Sequence, residues 1–248
     1  MNWLRMPESI DHLTGGAAPL DPAGHTGLLV VLPHPDDESF AAGGTIARFA
    51  DAGLPVLYLC GTFGDSGRRM GCPLFANRES LRDIREVELR EACRELGCSY
   101  RILGLRDKTV EFEDPAAVAD FVSEVLAEKR FSAVITFYPG HGVHPDHDAL
   151  GHATELAVGR LPEGERPLLL GVAVGNPADL EELGEPDWYS DIRATVSRKI
   201  AALRAHRSQT EFMFQQLDRE QPDLDEHTSG FRSEAYALER FYELPRPA

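Results

Sequence analysis

A Rossmann-like α/β domain, a three-layer fold with a mostly parallel sheet, is what this 248-residue chain predicts. Three observations carry that expectation. Apolar runs of strand length alternate with helical stretches from residue 28 onward. The first run is apolar throughout, as strands buried on both faces are. No repeat, linker or low-complexity block divides the chain, so a single domain over residues 27–248 is expected. It would follow an N-terminal arm, residues 1–26, that is rich in Gly, Pro and Ala and either free or laid along the surface.

Leu28–Pro33 (LLVVLP) reads as the first strand, Ser39–Ala52 as a helix with Gly53 at its end, and Pro55–Cys60 (PVLYLC) as the second strand. Thr62–Asn77 is glycine-rich, without periodicity, and longer than connections usually run, which makes it a candidate functional loop. Arg78–Leu96 is a charged amphipathic helix stopped by Gly97. Ser99–Leu105 gives the third strand, Pro115–Arg130 a helix, Ala133–Tyr138 the fourth strand, Asp146–Gly159 a helix and Leu168–Val174 the fifth strand. Acidic loop sequence covers Asn176–Ser190, a long helix runs from Ile192 to Arg207, and Glu234–Tyr242 alternates as a last strand at an edge. Strands spaced by helices imply right-handed βαβ crossovers.

The bulk properties narrow the function. With 41 acidic against 25 basic residues, the formal charge is -16. Such a field repels phosphate backbones and anionic lipid, so neither nucleic acid nor a membrane is expected as a partner. The apolar runs are too short to cross a bilayer. The N-terminus lacks the basic-then-apolar pattern of a secretory signal. Cys60, Cys72, Cys93 and Cys98 form no CxxC pair, and Cys60 and Cys93 read as small buried hydrophobes. Together these features suggest a cytoplasmic protein and leave a homo-oligomer open.

Two motifs carry chemistry. His34-Pro35-Asp36-Asp37-Glu38 follows the first strand, and His144-Pro145-Asp146-His147 opens the helix after the fourth. In a doubly wound sheet of order 3-2-1-4-5-6 those strands flank the switch point, where ligands bind beyond the carboxyl ends. Either motif alone is more simply a turn with an Asx cap. At corresponding strand ends they would face each other across one crevice. Imidazole and carboxylate together suit zinc, three such ligands with an open position mark a catalytic site, and acids left over can move protons.

With those residues in view, the chain resembles the LmbE / PIG-L family of zinc N-deacetylases. The likeness runs from Leu28 to about His152, through RESLRDIREVEL, LRDKTVEFE and FYPGHGVHPDHDA, and is nearest to the bacillithiol-biosynthesis deacetylases; LRAHRSQ at 203–209 adds to it. The resemblance implies one Zn2+ per chain held by His34, Asp37 and His147. It implies Asp36 as the general base, and His144, kept charged by Asp146, as the group that stabilises the oxyanion and gives its proton to the leaving amine. Arg85 falls at a sugar-contacting arginine and Asp107 at an acid that binds substrate hydroxyls. The implied substrate is an amino-sugar conjugate, N-acetylglucosaminyl-malate in the first place, with an S-conjugate of the finished thiol or another N-acetylglucosaminide as the alternatives. At the position of a mobile tyrosine of mycothiol-type relatives, this chain has Gly142.

Other residues invite separate readings. Arg68, Arg69, Arg78, Arg82 and Arg85 crowd into 18 residues of an acidic chain. Arg68 and Arg69 are expected to meet a substrate carboxylate, which favours a glucosaminyl-malate over a neutral sugar. Glu38 is left for helix N-terminal support. His206 is expected to be a buried helix histidine bonded to backbone, and Met70 and Phe75 to form a lid or to pack. A dinucleotide oxidoreductase is disfavoured, because the first strand leads into His-Pro-Asp-Asp instead of GxGxxG. A non-catalytic metal or sugar binder would have no need of Asp36. A binuclear phosphoesterase would need further ligands.

Overall fold

The computed structural model describes residues 6–175, 180–219 and 236–245. Strands β1 (Ala18–Pro19), β2 (Leu28–Leu32), β3 (Val56–Thr62), β4 (Ser99–Leu105), β5 (Ala133–Phe137), β6 (Leu168–Val172), β7 (Trp188–Asp191) and β8 (Leu238–Glu243) form one sheet. Its order is β1-β7-β8-β6-β5-β2-β3-β4. The helices are α1 (Asp37–Asp51), α2 (Leu81–Leu96), α3 (Pro115–Glu128), α4 (Pro145–Gly159), α5 (Val196–Ala205) and α6 (Arg207–Arg219).

All five residues of β2 and of β5 are buried, as strands covered on both faces must be. Leu28, Val30 and Leu32 point into a core with Ile46, Phe49, Leu89 and Ala202, on the side of α1, α2 and α5. Leu29 and Val31 point the other way, against Val118, Val122, Leu150 and Ala153 of α3 and α4. That alternation makes the three layers. β2 pairs in parallel with both β3 and β5, with Leu28 opposite Val56 and Ala133. The chain winds outward from β2 in one direction and from β5 in the other, so the switch point lies between these two strands.

β8 is the exception in direction: it runs antiparallel between β6 and β7. The last strand is therefore interior, not the expected edge; residue 234, where it was expected to start, lies outside the described residues. Glu239 on β8 reaches α1, accepting from Gly44 N at 2.9 Å, Thr45 N at 2.8 Å and Thr45 Oγ1 at 2.6 Å. Lys199 of α5 donates to the same carboxylate at 2.6 Å and to Phe40 O at 2.8 Å. This buried pair knits β8, α1 and α5 together, with its polar atoms satisfied.

Other boundaries moved for local reasons. Asn77 accepts from Glu79 N and Ser80 N, so a turn precedes α2, which starts at Leu81 instead of Arg78. The expected helix Ile192–Arg207 is two helices, because His206 (φ -77, ψ 52) leaves helical geometry. Its carbonyl then accepts from Gln209 N and Thr210 N, starting α6. Part of the expected acidic loop, Trp188–Asp191, is β7, whose partners are β8 and β1; residues 176–179 of that stretch lie outside the description. In the N-terminal arm β1 extends the sheet and Leu20 is fully buried. Among the described residues no helix is long and apolar enough to cross a membrane.

Candidate metal centre

Both motifs lie beyond the carboxyl ends of the neighbouring strands β2 and β5, and their side chains converge. His34 Nδ1 lies 3.2 Å from His147 Nε2 and 3.4 Å from Asp37 Oδ2. His147 Nε2 is 3.6 Å from Asp37 Oδ1. A tetrahedral ion with bonds of about 2.1 Å spaces its ligand atoms by about 3.4 Å, so the triangle has the size of one face of such a site.

The far side of each ring is also held. His147 Nδ1 faces Gly142 O at 2.8 Å, which fixes its proton there and turns the Nε2 lone pair inward. The ring stacks flat on Phe137, centroids 3.9 Å apart. Gly142 leaves room for this: a Cβ there would sit 2.5 Å from His147 Cβ. His34 Nε2 faces Asp146 Oδ2 at 3.1 Å and Asp107 Oδ1 at 3.3 Å, so its Nδ1 is the nitrogen presented to the cluster. A carboxylate behind a ligating histidine is the usual outer support of a metal site, and the donor set suits a divalent ion.

Burial opposes charge on His34, but Asp107, Asp146 and Asp37 outweigh it and raise its pKa well above the ordinary histidine value. His147 is lowered, chiefly by burial. Burial pushes Asp36 up to about 6 against the pull of Arg85. Asp37, Asp107 and Asp146 stay below the usual carboxylate value despite burial, held down by the histidines and by backbone N–H groups, that of His34 in the case of Asp37. Four carboxylates around one cavity are the kind of charge excess a bound cation neutralises.

Asp36 sits next to the triangle, its Oδ2 3.0 Å from Arg85 Nη2. Arg85, 4 % exposed, also donates to Gly64 O and Pro35 O. His144 caps α4, its Nδ1 accepting from Asp146 N at 3.1 Å, and its ring lies 4.9 Å from that of His34. One expectation needs correcting here. Asp146 does not hold His144 through its carboxylate; it accepts from Lys108 N and Val110 N and faces His34. As the second residue of α4, fully buried, it points back across the sheet end to the loop after β4.

A cleft of about 170 Å³ opens over these groups, lined by His34, Asp36, Arg85, Asp107, Lys108 and His144, with Gln209 at its rim. Asp107 is 4 % exposed and accepts from Ser66 N, which ties the glycine-rich loop to the site. Arg68 and Arg69 are exposed and line an adjoining groove with Met70, Cys72, Ser208 and Phe212; Arg69 donates to Gln209 O. Arg82 lies over the Phe63 ring, and Arg78 donates to Gly67 O. Phe75 is about half exposed.

Sequence reasoning missed Lys108, Gln209 and Tyr58. Lys108 adopts φ 66 at the cleft wall, and the Tyr58 hydroxyl donates to His34 O at 2.6 Å. The Leu-Arg-Asp-Lys and Arg-Ser-Gln stretches were the only signals for the first two. His206 was expected on backbone; instead its Nε2 meets Glu38 Oε1 at 2.8 Å.

An open α/β sheet with a His-Asp-His triangle that could hold a metal ion, and a carboxylate beside it at the switch point, fits the class of metal-dependent hydrolases. The family model described as PIG-L, GlcNAc-PI de-N-acetylase, matches residues 29–158. A probable N-acetyl-alpha-D-glucosaminyl L-malate deacetylase 2 of Bacillus cereus is 51 % identical over 189 residues, which span 76 % of this chain and 86 % of the relative. This chain belongs to the PIG-L / LmbE family of de-N-acetylases. In structure it is similar to the N,N'-diacetylchitobiose deacetylase of Pyrococcus horikoshii (TM-score 0.65, 23 % identity, 90 % and 85 % of the two chains). It is equally similar to a 4-carboxy-2-hydroxymuconate hydratase, GalB, of Pseudomonas putida (TM-score 0.67, 21 % identity, 90 % and 98 %). At these identities both establish the fold alone, and a fold can host more than one chemistry.

Proposed function

We propose that this chain is a zinc-dependent hydrolase that removes the N-acetyl group of N-acetylglucosaminyl-malate in the cytoplasm. The observation that carries the reading is the ligand triangle with Asp36 beside it. His34 Nδ1, Asp37 and His147 Nε2 would hold the ion. Zinc there supplies a Lewis acid that polarises a carbonyl and lowers the pKa of water to about 7.

The chain's own groups do the rest. Asp36 takes the proton of the attacking water, while Arg85 keeps its carboxylate ionised and directed into the cleft. His144, at the opposite wall, accepts from Asp146 N through Nδ1 and so has its Nε2–H to donate toward the oxygen that gains charge, while Asp36 passes the proton it took on to the departing amine. Arg85 and Asp107, both lining the cleft, face the sugar. Arg68 and Arg69, in the groove next door, meet the malate carboxylates. The substrate reading is supported by the name of the Bacillus cereus relative.

The test is release of free amine from a panel of N-acetylglucosaminides, with and without malate, on zinc-loaded protein. Turnover of the malate conjugate, abolished by a chelator and restored by zinc, is the expected result. Equal turnover of every acetamide would remove the substrate assignment. Chelator-resistant hydrolysis would remove the metal.

A further inference from the structure

Asp36 is a non-glycine residue at φ 126, ψ -26, a sparsely populated backbone state that persists only where its surroundings over-determine it. Its carboxylate is held by Arg85. Its carbonyl accepts from Ser39 N and Phe40 N, both at 3.0 Å. Its own N–H lies just ahead of α1 and points to Glu38 Oε2 at 3.0 Å.

Glu38 is fully buried, and its carboxylate does not reach the cleft lining. Its oxygens collect three donors: Asp36 N, Ser39 Oγ at 2.6 Å and His206 Nε2 at 2.8 Å. A buried carboxylate without such donors would be costly. His206 is fully buried as well, and its place is set by the break between α5 and α6. Its Nδ1 has no hydrogen-bond partner among the described residues, so the ring proton belongs on Nε2, facing Glu38. His206 is not among the residues that line the cleft.

We infer that Glu38, braced by His206, is a positioning residue that pins the Asp36 backbone in its positive-φ state and so aims the general base into the cleft. The inference rests on the reading of Asp36 as the base. Loss of the pin lets Asp36 relax toward an ordinary backbone state and swing its carboxylate off line, at the level of an ångström or so. Displacements of that size cost about 100-fold in turnover. Asp37 is also gripped by the His34 amide, at 2.8 Å, so the metal triangle has its own hold.

Two substitutions separate pinning from bulk support. Glu38→Gln keeps an oxygen for the Asp36 amide but turns its NH2 toward His206 Nε2, and is expected to cost no more than about ten-fold in turnover. Glu38→Met, of similar length without an acceptor, is expected to lose about 100-fold in kcat with KM little changed and one zinc per chain retained. Amide hydrogen exchange in the peptide covering residues 33–40 should quicken in Glu38→Met and not in Glu38→Gln. His206→Leu, which removes only the brace, should match Glu38→Gln, at roughly ten-fold in kcat. Paired with Glu38→Met it should add little further loss.

The inference is overturned if folded, zinc-loaded Glu38→Met turns over like the parent, or if Glu38→Gln is as defective as Glu38→Met. It is overturned equally if exchange at residues 33–40 is the same in all variants. Should Glu38→Met fail to fold, an unchanged kcat and exchange rate in His206→Leu overturns it. If the parent hydrolyses none of the acetamides, the functional reading fails while the exchange measurement still judges the pin.

Discussion

Replacing Asp146 by Asn tests how the metal ligands are supported. Its carboxylate lies 3.1 Å behind His34 Nε2 and also accepts two backbone N–H groups, from Lys108 and Val110. The amide cannot accept at every one of those contacts, so zinc affinity should drop by about 10–100-fold, read by competition with a chelator dye on folded protein. Asp107 shares the contact and tempers the loss. A second residue-level prediction concerns Arg68 and Arg69. Alanine at both should raise KM for N-acetylglucosaminyl-malate by about ten-fold or more and hardly alter it for plain N-acetylglucosamine; equal effects on the two would refute a carboxylate contact. The positions of His34, Asp37 and His147 were legible because a strand-end motif needs only the topology to be placed. The target of Asp146 was not: it depends on two amides of the loop after β4 that sequence spacing cannot aim.

At the scale of elements, α1 and the segment after β7 touch at a glycine. A Cβ on Gly44 would lie 2.4 Å from Ile192 Cβ, which is backbone-near and cannot step aside. Gly44→Ala is therefore expected to destabilise by about 1–3 kcal/mol, measured by urea unfolding, although alanine favours a helix by about 1 kcal/mol elsewhere. The five strands from β2 to β6 were readable as apolar runs, each in its expected order. β7 and the break at His206 were not. Trp188–Asp191 becomes a strand only because β8 lies beside it, and the helix ends at residue 205 because Glu88 takes Ser208 N and Oγ, at 2.7 and 2.6 Å. Both are tertiary effects that local propensity does not contain.

For the molecule as a whole, the stretch leading into β2 is clasped to the sheet by His25. Its Nδ1 meets Ser132 Oγ at 3.0 Å, and Thr26 N donates to the same hydroxyl. Burial lowers the His25 pKa, with Asp21 opposing it weakly. The unfolded chain therefore binds the proton more readily than the folded one. This contribution to stability is complete above the ordinary histidine value of 6.5 and is lost as pH falls through it toward the lower folded value. Between about pH 7.5 and 5.5 the parent's Tm should fall further than that of His25→Gln, which cannot titrate; parallel curves would dismiss the clasp.

The three atoms that would grip the ion come from strand ends that are adjacent in space yet 113 residues apart in sequence. A ribosome adding about 5–20 residues per second needs roughly 6–23 s to travel from one motif to the other. Throughout that interval the emerging protein offers only a histidine and an aspartate, a half-made claw. Capture of an ion would therefore be a late event in the life of the nascent chain, waiting until the middle of the sheet has closed.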